Sequence, residues 1–106
     1  MVMDQKELLR RIKDSLRTAY GERLQGVVLY GSEARGEAGP ESDVDVLVLL
    51  EGPIEWWRDI KTTVRAIYDL QLQVERPIHA HPVDAADFYA GRYSLYRTVK
   101  EEGIFA

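Results

Sequence analysis

Ser42-Asp43-Val44-Asp45 sets two carboxylates, one residue apart, at the head of the apolar run Val46 to Leu50. Residues two apart on a strand point to the same face, with Cα atoms roughly 6–7 Å apart. Carboxylates so placed repel each other unless a cation lies between them. Magnesium favours oxygen ligands and is commonly held by one or two carboxylates plus substrate phosphates. Two such ions about 3.5–4 Å apart make a two-metal centre for phosphoryl or nucleotidyl transfer. Solvated strand-edge residues are the bland alternative. Two acids opening an otherwise apolar strand are better explained by metal, so Asp43 and Asp45 are read as metal ligands and catalytic residues.

A second constellation precedes them, Leu29-Tyr30-Gly31-Ser32-Glu33-Ala34-Arg35-Gly36. A strand that ends in Gly-Ser at a helix start can bind phosphate. Glycine permits a sharp turn and close approach of a ligand. The first N–H groups of a helix lack partners and carry partial positive charge. Gly31 and Ser32 are therefore candidate nucleotide-binding residues. Alone, the pair reads as an ordinary strand-to-helix turn; beside Asp43 and Asp45 the phosphate reading is favoured. Arg35 either touches phosphate or braces the loop by pairing with Glu37 or Glu41, and bracing is preferred. Ser42 either caps the loop or assists the site.

The elements that must position these groups follow from periodicity. A helix is expected from about Asp4 to Tyr20, with Asp4 as cap, Glu7 three residues on, and Leu8, Ile12 and Leu16 as its apolar stripe. Gly26 to Tyr30 reads as a buried strand. Ser32 to Gly36 suits a short helix, and Glu37 to Ser42 a loop. Asp43 to Leu50 reads as a strand buried on both faces. A long helix should run from Ile54 to Leu72, with Trp57, Ile60, Val64, Ile67 and Gln71 sharing one face. On that reading Trp57 is core, and Trp56 is an exposed candidate for partner contact. A third strand is expected over Gln73 to Pro82. Asp84 should cap a short helix through Tyr89, and a last helix over Tyr93 to Glu102 should turn Leu95, Tyr96 and Val99 inward before Gly103 stops it.

This order implies an α/β (α+β) fold: a small mixed sheet of about three to four strands flanked by helices, built as one domain over residues 1–106. Neighbouring placement of the first two strands makes them antiparallel and brings Ser32 beside Asp43. Length and composition agree. The chain has 106 residues, 45% hydrophobic and 30% charged, the balance of a globular domain. It has no cysteine, which excludes disulfides and thiolate zinc sites. The formal net charge of −4 argues against general nucleic-acid binding. No apolar run suits a membrane span or signal peptide, and a cytoplasmic location is expected.

Gly31-Ser32, Arg35-Gly36, Ser42, Asp43 and Asp45 together resemble the signature of the polymerase-β-like nucleotidyltransferase superfamily, in particular its minimal nucleotidyltransferase branch. The resemblance is strongest from Val27 to Leu50 and extends over nearly the whole chain. It implies that Gly31 and Ser32 grip phosphates and that Asp43 and Asp45 hold Mg2+ for transfer of AMP from ATP to an acceptor hydroxyl. The family also implies a third acid on the following strand. Here that strand reads Glu75-Arg76-Pro77-Ile78-His79-Ala80-His81-Pro82, and His79 stands where the acid is expected. Imidazole is a poor magnesium ligand, although it can serve as a general base, so His79 is carried as a further catalytic candidate. Glu75, roughly 13 Å away along a regular strand, is too distant to replace it. His79 and His81 alternate on one face; two histidines alone are weak evidence for zinc, and a pocket rim or interface is the preferred reading.

The chain leaves little room for an acceptor-binding region, so the acceptor is expected on another chain. The resemblance implies an all-helical HEPN-type partner and the role of antitoxin, silencing its partner by adenylylation. The rival reading, motivated by His79, is a degenerate minimal nucleotidyltransferase that neutralises a partner by contact alone. Modification of a small molecule such as an aminoglycoside is less favoured.

Overall fold

The computed structural model describes residues 3–106. Helix α1 (Gln5–Tyr20) is capped by Asp4, whose carboxylate accepts from the Glu7 N–H at 2.8 Å. Glu7 itself does not close a reciprocal box; its carboxylate takes Arg10 and Arg11 instead. Leu8, Ile12 and Leu16 face the core as expected, joined by Leu9. A 3-10 turn leads into β1 (Leu24–Tyr30), then α2 (Gly31–Ala34), β2 (Val44–Leu50), α3 (Trp56–Gln73), β3 (Ile78–Asp84), α4 (Ala85–Tyr89), α5 (Ser94–Glu102) and β4 (Ile104–Phe105).

The four strands form one mixed sheet in the order β3-β2-β1-β4. β1 runs antiparallel to β2 and β4, while β3 runs parallel to β2 after the α3 crossover. Side-chain alternation along β2 divides the core. Val44, Val46, Val48 and Leu50 pack with α1 and α3. Leu47 and Leu49 pack with Val28, Ala85, Phe88 and Val99 on the other face. Asp43 and Asp45 belong to this second face but lie at its open end.

The fold corrects several expectations. The stripe read onto α3 is buried only in part: Ile67 is buried and Ile60 and Gln71 half-buried, but Trp57 is 61% exposed and Val64 56% exposed. The residues turned inward are Asp59, Thr63, Ile67 and Leu70. Two polar side chains concealed this face in the sequence, and each finds a partner. Arg23 clasps Asp59 with two hydrogen bonds, at 2.6 and 2.9 Å. The Tyr20 hydroxyl meets Thr63 and the Asp59 carbonyl, both at 2.8 Å. The third strand begins at Ile78, not Gln73, because α3 continues through Gln73. Gln71 then closes the turn, donating to the Val74 and Arg76 carbonyls and accepting from the Ile78 N–H. Glu75 therefore lies outside any strand. Leu95 faces solvent, while Val99 is buried and Tyr96 half-buried. β4, after Gly103, was not foreseen. Asp84 does cap α4, accepting from the Ala86 and Asp87 N–H groups. Among the described residues no helix is long and apolar enough to cross a membrane.

Candidate functional site

Register aligns the chemistry. Tyr30 pairs with Asp45 across the antiparallel β1–β2 ladder, and Asp45 pairs with His79 across the parallel β2–β3 ladder. Three adjacent strands thus present Tyr30, Asp45 and His79 in one row. Asp43 stands just before β2, half-exposed, with its Oδ2 3.4 Å from His79 Nε2.

Gly31 makes the turn from β1 into α2 with φ +73°, a left-handed conformation that favours glycine. A Cβ there would lie 2.7 Å from Asp45 Oδ2. The missing side chain therefore lets the backbone at the head of α2 come directly against the Asp45 carboxylate. Ser32 follows in the first turn of α2, where N–H groups have no partner within the helix. Glycine, hydroxyl and both carboxylates are gathered at one end of the sheet.

Charge around this point is uneven. Among the described residues no lysine or arginine lies within ion-pair distance of Asp43 or Asp45. Oxygen donors without a protein cation fit a hard divalent ion such as Mg2+. They do not form a closed cage, since no three His or carboxylate groups among the described residues stand close enough together to hold a metal. Substrate phosphate and water would have to complete the shell. Burial, and next the charge of Asp45, push the Tyr30 phenol up, so its hydroxyl stays protonated beside the site at neutral pH.

Arg35 pairs with Glu37 at 3.2 Å and so braces the loop. It also lines a cavity of 220 Å³ with Tyr30, Gly31 and the α5 residues Leu95, Thr98 and Glu102. Ser42 caps the loop: its Oγ accepts from the Gly39 N–H at 2.9 Å. A cavity of 560 Å³ lies elsewhere, between α1 and the C-terminal strand, and includes none of these residues.

Sequence reasoning missed the strut that holds the two halves together. Arg76 donates to Glu33 at 2.7 Å and to the Ser42 carbonyl at 2.8 Å. It thereby ties α2 to the residue before Asp43. Gln5 adds a hydrogen bond to the Glu33 carbonyl. The Arg76 guanidinium holds the Glu33 carboxyl below the usual range, with burial opposing it. Nothing in the pattern around Glu33 or Arg76 marks them as partners, because the pairing spans 43 positions.

Residues 9–106 match the family model of the nucleotidyltransferase domain. A protein from Methanocaldococcus jannaschii, whose name marks it as a candidate protein adenylyltransferase, is 24% identical over 103 residues, 95% of this chain and 96% of its own. A crystal structure from Sulfolobus solfataricus, described as a candidate nucleotidyltransferase, superposes with TM-score 0.62 at 18% identity, covering 95% of this chain and 80% of that one. A crystal structure of a toxin–antitoxin with AMP-PNP also gives TM-score 0.62 at 18% identity, covering 92% of this chain and 70% of that one.

Proposed function

The chain belongs to the nucleotidyltransferase domain family, and on that premise we propose that it transfers AMP from ATP to a hydroxyl of a partner protein. The acceptor oxygen attacks the α-phosphorus, the bond to the bridging α–β oxygen breaks, and pyrophosphate leaves. The acceptor hydroxyl gives its proton to solvent water as the bond to phosphorus forms. Gly31 and Ser32 would hold the phosphates at the head of α2. Asp43 and Asp45 would hold Mg2+, which when bound stabilises the charge that develops on the phosphoryl oxygens. Arg76 and Glu33 act as positioning residues that keep the phosphate turn and the carboxylates in fixed relation.

The observation that carries this reading is the close approach of Gly31 to the Asp45 carboxylate, where an added Cβ would lie 2.7 Å from Oδ2. A phosphate on the α2 N–H groups would lie within reach of a metal on Asp45. A protein acceptor is supported by the outer side of α3. Trp56, Trp57, Val64, Tyr68 and Leu72 are each more than half exposed there, an apolar surface that a partner chain would cover. The names of the methanogen relative and of the toxin–antitoxin neighbour point the same way. The partner is proposed to be an all-helical HEPN-type toxin, with this chain as the antitoxin.

Incubation with labelled ATP, Mg2+ and the product of a neighbouring reading frame tests the proposal. Label on the partner, lost in the Asp43→Asn, Asp45→Asn double variant, is the expected result. Transfer that survives the double variant would overturn the assignment of roles. A second reading, neutralisation by contact without chemistry, is favoured by the nitrogen donor at His79; tight partner binding with no transfer under any metal would select it.

A further inference from the structure

We propose that the outer face of α3 is one half of a helix–helix seam, and that its other half is an acidic amphipathic helix of a partner protein. The inference rests on the protein-acceptor reading, and takes from it only that a partner chain exists. Trp57, Lys61, Val64, Tyr68 and Leu72 recur at intervals of four, three, four and four. Every one is exposed, while Asp59, Thr63, Ile67 and Leu70 turn inward. Residues at that spacing form a single line along a helix. From Trp57 to Leu72 the line is about 22 Å long. A narrow line of this kind suits the ridge of a second helix laid along it. α3 offers no edge for an added strand, because its backbone N–H and C=O groups are spent within the helix.

Charge then decides the occupant. Lys61 stands within the line, its amine 5.7 Å from the Trp57 ring centre. Among the described residues neither Lys61 nor Arg65 has a carboxylate within ion-pair distance. Arg58 and Arg65 flank the line on one side. Asp69 is the one acid among the exposed residues of α3, so this face is cationic on a chain whose net charge is −4. A lysine inside an apolar seam sets register when an acid faces it, and flanking charges choose the partner. A second copy would bring the same excess of cations to the interface. A helix with Asp or Glu opposite Lys61 and Arg65 neutralises it. Beyond Leu72 the chain turns into β3, whose Ile78 pairs with Val44 beside the carboxylates. The Leu72 end of the line is therefore the end nearest the candidate site, and a helix docked along α3 presents one of its ends there.

The probe is a displayed library of helical peptides with leucine at the seam spacing and randomised flanking positions, selected on the full chain. Enriched peptides are then titrated against it in solution. The chain's two tryptophans, Trp56 and Trp57, report docking by a blue shift of their emission. Enriched flanks should be rich in Asp and Glu. Affinity should fall about tenfold or more in the Lys61→Glu, Arg65→Glu double variant, because like charges then face each other, and in Val64→Asp. The Asp43→Asn, Asp45→Asn double variant should bind as the wild type does. Circular dichroism confirms that each variant is folded. Enriched flanks without acid, no enriched helix at all, or unchanged affinity in the two α3 variants would overturn the inference while leaving nucleotide transfer intact. Sedimentation of the wild type as a dimer that Val64→Asp dissolves would give the face to a second copy, and would overturn it too. Docking of acidic helices with no nucleotide transfer to any protein would uphold it and overturn the transfer reading instead.

Discussion

Gly31 and Gly36 offer a matched pair of substitutions that separates backbone strain from site chemistry. Both have φ +73°. An alanine at either must adopt a left-handed conformation, at about 1–2 kcal/mol. For a chain of this size that lowers Tm by about 5–10 °C. The two differ in what the added methyl meets. At Gly36 nothing lies within 4 Å, whereas at Gly31 the Asp45 carboxylate oxygen lies at 2.7 Å. Gly31→Ala must therefore push the Asp45 carboxylate from its place, and Gly36→Ala need not. Thermal unfolding should show similar losses for the two variants. Titration with a non-hydrolysable ATP analogue and a divalent ion should show weakened binding for Gly31→Ala alone. Equal nucleotide affinity in both variants would refute the claim that Gly31 is there to admit the backbone to the carboxylate.

Asp59→Ala removes the carboxylate partner of the Arg23 guanidinium, which keeps only the Glu51 and Pro53 carbonyls. Breaking a buried pair costs about 3–5 kcal/mol, and because Arg23 keeps 26% exposure, about 2–3 kcal/mol is expected from urea unfolding. Acid should expose the same pair. Arg23 lowers the Asp59 carboxyl below its ordinary range, and Arg76 does so for Glu33. A depressed folded value stabilises the protein above the unfolded value, about pH 4, and the contribution disappears as pH falls through the folded value. Stability of the wild type should therefore drop more steeply below about pH 4 than that of Asp59→Asn. Arg76→Met frees α2 from Ser42; nucleotide transfer should fall by at least tenfold while the circular dichroism spectrum is unchanged, and equal activity would show that the strut is not needed for positioning.

The candidate site was legible in the sequence because its signals are local. Gly31-Ser32 and Asp43-x-Asp45 each lie within three positions, and strand alternation with one antiparallel pairing brings them together. The capping of α1 and α4 by Asp4 and Asp84 was legible for the same reason. The inward face of α3 was not. Its Asp59 and Thr63 look like surface residues until Arg23 and Tyr20, remote in the chain, satisfy them. Periodicity alone reads Trp57 as core and sets Val64 on the same face, yet a helix can carry a second apolar stripe that its own fold does not cover. β4 escaped because two residues carry no periodicity, and its pairing with Val28 and Leu29 exists only after the fold forms. The family resemblance sets His79 at the position of the third acid, but its approach to Asp43 needs the parallel register of β2 and β3.

A crystal structure of the chain with a non-hydrolysable ATP analogue and Mg2+ tests the central claim most directly. The account predicts triphosphate oxygens within hydrogen-bonding distance of the Gly31-Ser32 turn and an ion bound by Asp43 and Asp45. Nucleotide lodged in the groove between α1 and β4, with both aspartates free of metal, would contradict it.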